Sequence, residues 1–303
     1  MSIPTAKIIC DSISLDHVRL TTMEVKLHRF VLAELNTHRV FSRNSASSRA
    51  IPISKILERV KTDPAMPLFW GKNQAGMVAA VELDPDKQTM AINTWLNARD
   101  NAISSVEKLQ EIGVHKQLTN RLLEPWLWHT AIISSTEWNN YFGQRTAINP
   151  ADGKPFAMPE MYALAKAMEF AYYNNAPTVV NYGEWHLPYI TDEDFDWAYN
   201  QNQFLDGENK NAYHLLKSIS AGRCARVSYL THDGKRDPGE DIKLAEKLAS
   251  ARPMHPSPFE HQATPQYELE VLGNFRGWHQ FRHSFKNENI HDFVPDPKDI
   301  VSR

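Results

Sequence analysis

Residues 18–35, VRLTTMEVKLHRFVLAEL, run directly into 36–49, NTHRVFSRNSASSR, and the change of character between them decides how the chain is read. The first stretch is rich in β-branched and apolar residues. It partly alternates through Thr21-Thr22-Met23-Glu24-Val25-Lys26-Leu27, the period of a strand with one face in a core. The second is polar, and from His38 to Arg49 it carries three guanidiniums (Arg39, Arg43, Arg49) and four hydroxyls (Ser42, Ser45, Ser47, Ser48), with Pro52 just beyond. A strand entering a polar loop over 37–49 is therefore predicted.

Outward from there, both structural periods recur. Ile92, Trp95, Leu96, Ile103, Val106, Leu109 and Ile112 fall at helical spacing before Gly113, a suitable C-terminal cap. Residues 130–136 read as a short apolar strand, and Pro159 opens a helix with Met161, Leu164, Met168 and Ala171 on one face. In the last third, 226–230 and 267–271 read as strands and Asp233-Gly234 as a turn. Asp237-Pro238 caps a helix through Ile242, Ala245 and Leu248. The mixture predicts an α/β (α+β) fold. The polar stretch 200–211 is the expected surface connection between regions 1–199 and 212–303.

Bulk properties narrow the function. The chain has 303 residues, 42% hydrophobic and 23% charged, as a globular protein does, and its net charge of -3 gives no general attraction to nucleic acid or an anionic membrane. Phosphate recognition must then come from a local cluster of arginines. Cys10 and Cys224 lie far apart with no metal-ligand spacing, so a reducing, cytoplasmic compartment is expected. The start, Met1-Ser2-Ile3-Pro4, lacks the pattern of a signal peptide, and no apolar run is long enough for a bilayer. With 12 glycines and no GxGxxG or Walker string, a Rossmann cofactor site is not expected.

The densest polar signal is 38–49 itself. Arginine forks, serine hydroxyls and loop N–H groups together suit an oxyanion, although a solvated Ser/Arg loop has the same composition. The order of the residues adds information. His38, Arg39, Ser42, Asn44, Ser47 and Arg49 form His-Arg-x-x-Ser-x-Asn-x-x-Ser-x-Arg, which resembles the signature of the flavin-dependent thymidylate synthases. Two further regions are similar to that family. One is Asn120-Arg121-Leu122-Leu123-Glu124-Pro125, followed by the strand, Trp138, Arg145 and Ala157-Met158-Pro159-Glu160. The other is Ala225-Arg226-Val227-Ser228-Tyr229 with His255-Pro256-Ser257-Pro258-Phe259-Glu260-His261, which in the family precedes the Arg/Ser loop. The rotated order suggests a circular permutation. Thr37, Ser45, Glu34 and Ala50 stand where the family usually has Arg, Glu, Gln and Tyr.

The resemblance implies a curved central sheet flanked by long helices, and a homotetramer that a monomeric mass by light scattering would contradict. It implies FAD as cofactor, NADPH as reductant, methylenetetrahydrofolate as one-carbon donor and dUMP as substrate, with dCMP an alternative. On this reading Arg145, Ser47 and His255 are catalytic. Ser47, Ser48, Arg49, Arg121, Arg145 and Glu34 hold the nucleotide, and His38, Arg39, Asn44, Ser257, Asn140 and Ser134 hold the cofactor. For Arg121 and Arg145 a surface salt bridge is the simpler reading. Two other functions are compatible with the same residues: a pyrimidine nucleotide hydroxymethylase, motivated by Thr37 and Ser45, and a non-catalytic nucleic-acid binder using the Arg/Ser loop. Cys224 reads as a buried inert thiol, and His279 with His283, which lack the central Glu of a zinc motif, do not read as metal ligands.

Overall fold

The computed structural model describes residues 2–202, 210–229, 231 and 236–289. Its centre is a five-stranded sheet of β1 (Thr5–Ser14), β2 (Arg19–His28), β3 (Ser42–Ser45), β4 (Trp128–Ser135) and β5 (Thr178–Val180), in the order β3-β4-β2-β1-β5. Neighbours are antiparallel except β1 and β5, which run parallel.

The helices are α1 (Leu32–Asn36), α2 (Ile53–Thr62), α3 (Pro85–Glu111), α4 (Lys116–Thr119), α5 (Asn139–Arg145), α6 (Pro159–Tyr173), α7 (Asp192–Asn202), α8 (Lys210–Arg226) and α9 (Pro238–Ser250). Fold class is thus mixed α/β with a central sheet and long helices, as the periodicities predict. No helix among the described residues is long and apolar enough to cross a membrane.

The alternation over 21–27 is what gives the sheet two different faces. Met23 pairs with Ile133 and Val25 with Ala131, and these residues share one buried cluster with Leu27 and with Met161, Leu164, Ala165 and Met168 of α6. On the opposite face, Ile132 packs against Cys224 and Val227 at the end of α8, while Thr22 pairs with Ser134. A separate core joins α2, α3 and the 3-10 segment Asn120–Trp126 through Ile56, Val60, Ile103, Val106 and Leu123.

Helices α7, α8 and α9 are tied by a buried ion network. Arg223 donates from Nη1 and Nη2 to Asp194 at 2.5 and 2.6 Å and from Nε to Asp241 at 3.0 Å, and Asp241 also accepts from Arg226 at 2.6 Å. Burial opposes the Asp194 charge, but hydrogen bonds from Arg223 and Thr191 outweigh it and hold the carboxyl below its usual range. The α8–α9 crossing is close: a Cβ on Gly222 would lie 2.2 Å from the Asp241 carbonyl oxygen.

Five local expectations need correction. The strand expected in 18–35 ends at His28, and Arg29–Val31 and Leu32–Asn36 are helical. The polar stretch 37–49 is not all loop, because Ser42–Ser45 pairs with β4 and forms the sheet edge. Residues 226–229 end α8 and continue as the 3-10 turn Val227–Tyr229, with Val227 buried on the sheet; a short apolar run suits a buried helical turn as well as a strand. Alternation over 267–271 yields a strand only at Val271–Leu272, paired with Phe275–Arg276 around Gly273, since Tyr267 and Leu269 have no core to face. Of the expected connection 200–211, residues 200–202 end α7 and α8 begins at Lys210, while 203–209 lie outside the described residues, as do Leu230 and the Asp233-Gly234 turn. The cap at Asp237 is present: its side chain accepts from Glu240 N.

Replacing Arg223 with Ala leaves buried Asp194 without its ion-pair partner and Asp241 with Arg226 alone, so urea denaturation should show a loss of about 3–5 kcal/mol. A loss below about 1 kcal/mol would mean that the network contributes specificity without stability.

Candidate functional site

Asn44 sits in the middle of the edge strand β3, opposite Ile132, and is buried. Because β3 has a sheet neighbour on one side only, its other side is open to the segments that pack there. Asn44 Nδ2 donates to the Cys224 carbonyl at 2.5 Å, and its Oδ1 accepts from the hydroxyls of Ser228 and Ser257, each at 3.3 Å. Ser47 N donates to the Ser228 carbonyl at 3.0 Å. One amide therefore joins the 38–49 stretch, the end of α8 and the 3-10 turn Ser257–Glu260, the places where the first family-like string and both parts of the third lie. Its neighbour Ser42 accepts from Asn274 at 3.2 Å and Gln280 at 2.9 Å, and Gln280 also donates to the Glu260 carbonyl at 2.7 Å. Both lone-pair directions of Asn44 Oδ1 are occupied, so this residue positions its neighbours. His255 is exposed beside the turn.

A second group forms where α5 ends. Arg145 Nε donates to His38 Nε2 at 3.0 Å, and Nη2 donates to the Glu34 carbonyl at 3.3 Å and the Thr37 hydroxyl at 3.1 Å. Accepting at Nε2 makes His38 a neutral imidazole with its hydrogen on Nδ1. Its pKa is pushed down to about 4, first by burial and then by the charges of Arg145 and Arg43. Phe41 stacks on the ring at 5.7 Å with the planes inclined by 30°, and Tyr141 meets it edge-on at 4.8 Å, which fixes its plane. Glu34 Oε2 is buried without a hydrogen-bond partner among the described residues. Arg39 is exposed and makes no ion pair among them.

The third group gathers on Glu124. Its Oε1 accepts from Ser48 at 2.7 Å, Arg121 at 2.9 Å and Arg29 at 3.4 Å, while Asn120 Nδ2 holds the carbonyls of Ser48 and Ile51 at 2.6 and 3.1 Å. Arg121 thus has the ion-pair partner that the simpler reading gave it, and the carboxylate brings it beside Ser48. Arg49 is exposed. Glu124 and Arg29 carried no role in the sequence reading. The only signal was position, since Glu124 stands three residues after Arg121, a spacing that faces its partner on a helical turn.

Ser134 and Asn140 do not join these groups. Asn140 lies exposed near the start of α5. Ser134 belongs to a buried relay on the α8 side of the sheet: Ser12 to His186 Nδ1 at 2.8 Å, His186 Nε2 to Thr22 at 2.8 Å, Thr22 to Ser134 at 2.6 Å, and Ser134 to His261 Nδ1 at 2.8 Å. Burial pushes both histidines down to about 3, and their mutual interaction adds to the effect at His186. Beside the relay, burial pushes the Cys224 thiol far up, leaving it un-ionised and a poor nucleophile.

No protein-family profile matches the chain, and no curated protein does. Among solved structures it is similar to a UMP/dUMP methylase PolB from Streptomyces cacaoi bound with 5-Br UMP, at 15% identity and a TM-score of 0.44, over 57% of this chain and 89% of that one. It is also similar to Thymidylate Synthase X (ThyX) from Helicobacter pylori with FAD and dUMP, at 21% identity and a TM-score of 0.33, over 50% of this chain and 67% of that one. At these scores, function has to be argued from the side chains themselves.

The relay histidines give stability a definite pH dependence. The unfolded chain binds their protons below about pH 6.5, whereas the folded protein excludes them until about pH 3. Stability is thus full above 6.5 and falls as pH falls, on the order of 2 kcal/mol per histidine by pH 5. Urea midpoints should drop steadily from pH 7 to 5, and a flat profile would show that the relay is protonated or hydrated.

Proposed function

We propose that the chain is a flavin-dependent enzyme that transfers a one-carbon unit from methylenetetrahydrofolate to C5 of dUMP, with FAD reduced by NADPH, giving dTMP. The observation that carries this reading is the junction at Asn44, where three segments distant in sequence, each similar to a motif of one family, meet through one side chain.

The residues left available fit a flavin. Arg39 has no ion pair among the described residues, and neutral His38 offers Nδ1–H, so both would donate to such an acceptor-rich group. His255 and Ser257 flank the same junction and complete the cofactor side. When bound, the flavin supplies the hydride that reduces the transferred carbon.

Arg145 is the group assigned to the pyrimidine. Nε and Nη2 are engaged by His38, Thr37 and the Glu34 backbone, while Nη1 has no hydrogen bond among the described residues. The guanidinium is therefore preorganised, with a charged donor free to stabilise negative charge on a ring carbonyl as the ring is attacked. Glu34 Oε2, buried and unpartnered, would accept from the ring N3–H beside that carbonyl. Because His38 is neutral near pH 7, it adds no second charge to Arg145. Ser47, Ser48, Arg49 and Arg121 would take the phosphate.

A second outcome is supported by Thr37. Its hydroxyl accepts from Arg145 and donates to the Glu34 carbonyl at 2.7 Å, which puts a polar oxygen beside the catalytic group. Water capture of the one-carbon unit would then give a 5-hydroxymethyl nucleotide, from dUMP or dCMP.

The test is anaerobic turnover with FAD, NADPH, dUMP and methylenetetrahydrofolate, followed by mass spectrometry. Bleaching of the flavin and a product of dTMP mass are expected, and one additional oxygen would identify hydroxymethylation. Arg145→Ala should retain flavin but lose at least about a hundredfold in turnover, the scale of one lost electrostatic donor. An unimpaired rate would remove Arg145 from the catalytic group.

A further inference from the structure

Next to Ser48 lies a small cleft between α2 and the start of β4, lined by Arg29, Ser48, Arg59 and His129 among apolar side chains. None of its lining residues is Asp or Glu. Arg59, on α2, belongs to no family-like string. It is exposed and makes no ion pair among the described residues. Arg29 shares Glu124 with Arg121, so two guanidiniums face one carboxylate and a positive charge remains before Arg59 is counted. His129 adds an independent sign of a missing acceptor. Its Nδ1 accepts from Arg29 at 3.1 Å, which places its hydrogen on Nε2, and that nitrogen is buried with no partner among the described residues. Burial, reinforced by Arg29, pushes this histidine down to about 3, so it is a neutral donor.

We propose that this cleft extends the phosphate subsite at Ser48, with Arg59 and Arg29 joining Ser47, Ser48, Arg49 and Arg121 in holding the phosphate of a nucleoside monophosphate. The assignment to a nucleotide rests on the function proposed above, whereas the anion site itself does not. Arg59 can reach an oxyanion bidentately without giving up an existing ion pair. Arg29, already held by His129 and Glu124, is the preorganised partner.

Calorimetric titration of dUMP, deoxyuridine and inorganic phosphate into wild type, Arg59→Gln and Arg59→Lys tests this directly. Arg59→Gln should weaken dUMP and phosphate about tenfold while leaving deoxyuridine unchanged, and Arg59→Lys should recover part of the loss. Exposure of Arg59 means that the variants should fold, which melting curves will show. The proposal is overturned if dUMP binds Arg59→Gln as it binds wild type, if deoxyuridine weakens equally, or if wild type binds neither dUMP nor phosphate. Arg59-dependent phosphate binding by a protein that neither binds nor reduces flavin would uphold the subsite and defeat the function proposed above.

Discussion

The function proposed for this protein depends on the amide of Asn44. It sits on an edge strand, where one side of the backbone is free to receive other segments, and it engages the Cys224 carbonyl and two serine hydroxyls. Each such bond contributes only about 1 kcal/mol net, so their importance lies in geometry. An amide has a donor and an acceptor at a fixed separation, and here that separation registers the end of α8 and the turn Ser257–Glu260 against β3. Asp or Leu could not offer both kinds of contact. The rotated order of the family-like strings along the chain does not prevent them from meeting, because contact at Asn44 is made in space.

Polar groups elsewhere are buried at a cost, and their arrangement shows where that cost is offset. Arg223 and Arg226 neutralise Asp194 and Asp241 among three helices, so the region behind the junction is anchored by charge as well as packing. The relay from Ser12 to His261 runs through the α8-facing side of the sheet with neutral histidines throughout. Two of the buried polar atoms without a partner among the described residues, Glu34 Oε2 and His129 Nε2, belong to residues of the proposed substrate site. Unmet hydrogen bonds are tolerated where a ligand can meet them.

Legibility followed physical scale. The alternation over 21–27 correctly placed a half-buried strand, and the capped, periodic segments at 85–111, 159–173 and 238–250 became helices. The errors lie in short apolar or alternating runs. Residues 226–229 could have been strand or helical turn, and only packing of Val227 on Ile132 decides between them. Strand β3 was hidden inside a serine-rich string because an edge strand needs little hydrophobicity when its partner β4 is strong. The residues of the proposed site taken from the string 38–49, among them His38, Arg39, Asn44 and Ser48, are those that its resemblance to the family singles out. The anchoring roles of Glu124, Arg29 and Arg223 were not visible, since pairing between side chains far apart in sequence leaves no periodic trace. Ser134, read as a cofactor residue, instead spends its hydroxyl on Thr22 and His261.

In the function proposed above, Asn44 assembles a single flavin site from three segments. The most direct measurement is an FAD titration by visible absorption on wild type and Asn44→Ala, with far-UV circular dichroism confirming that both are folded. Saturable, spectrally shifted flavin is expected in the wild type, with a loss of at least about tenfold in affinity in Asn44→Ala, the factor that corresponds to roughly 1.4 kcal/mol. Equal FAD affinity in the two proteins would contradict the claim that the junction builds the site, and no binding by the wild type would contradict the existence of the site.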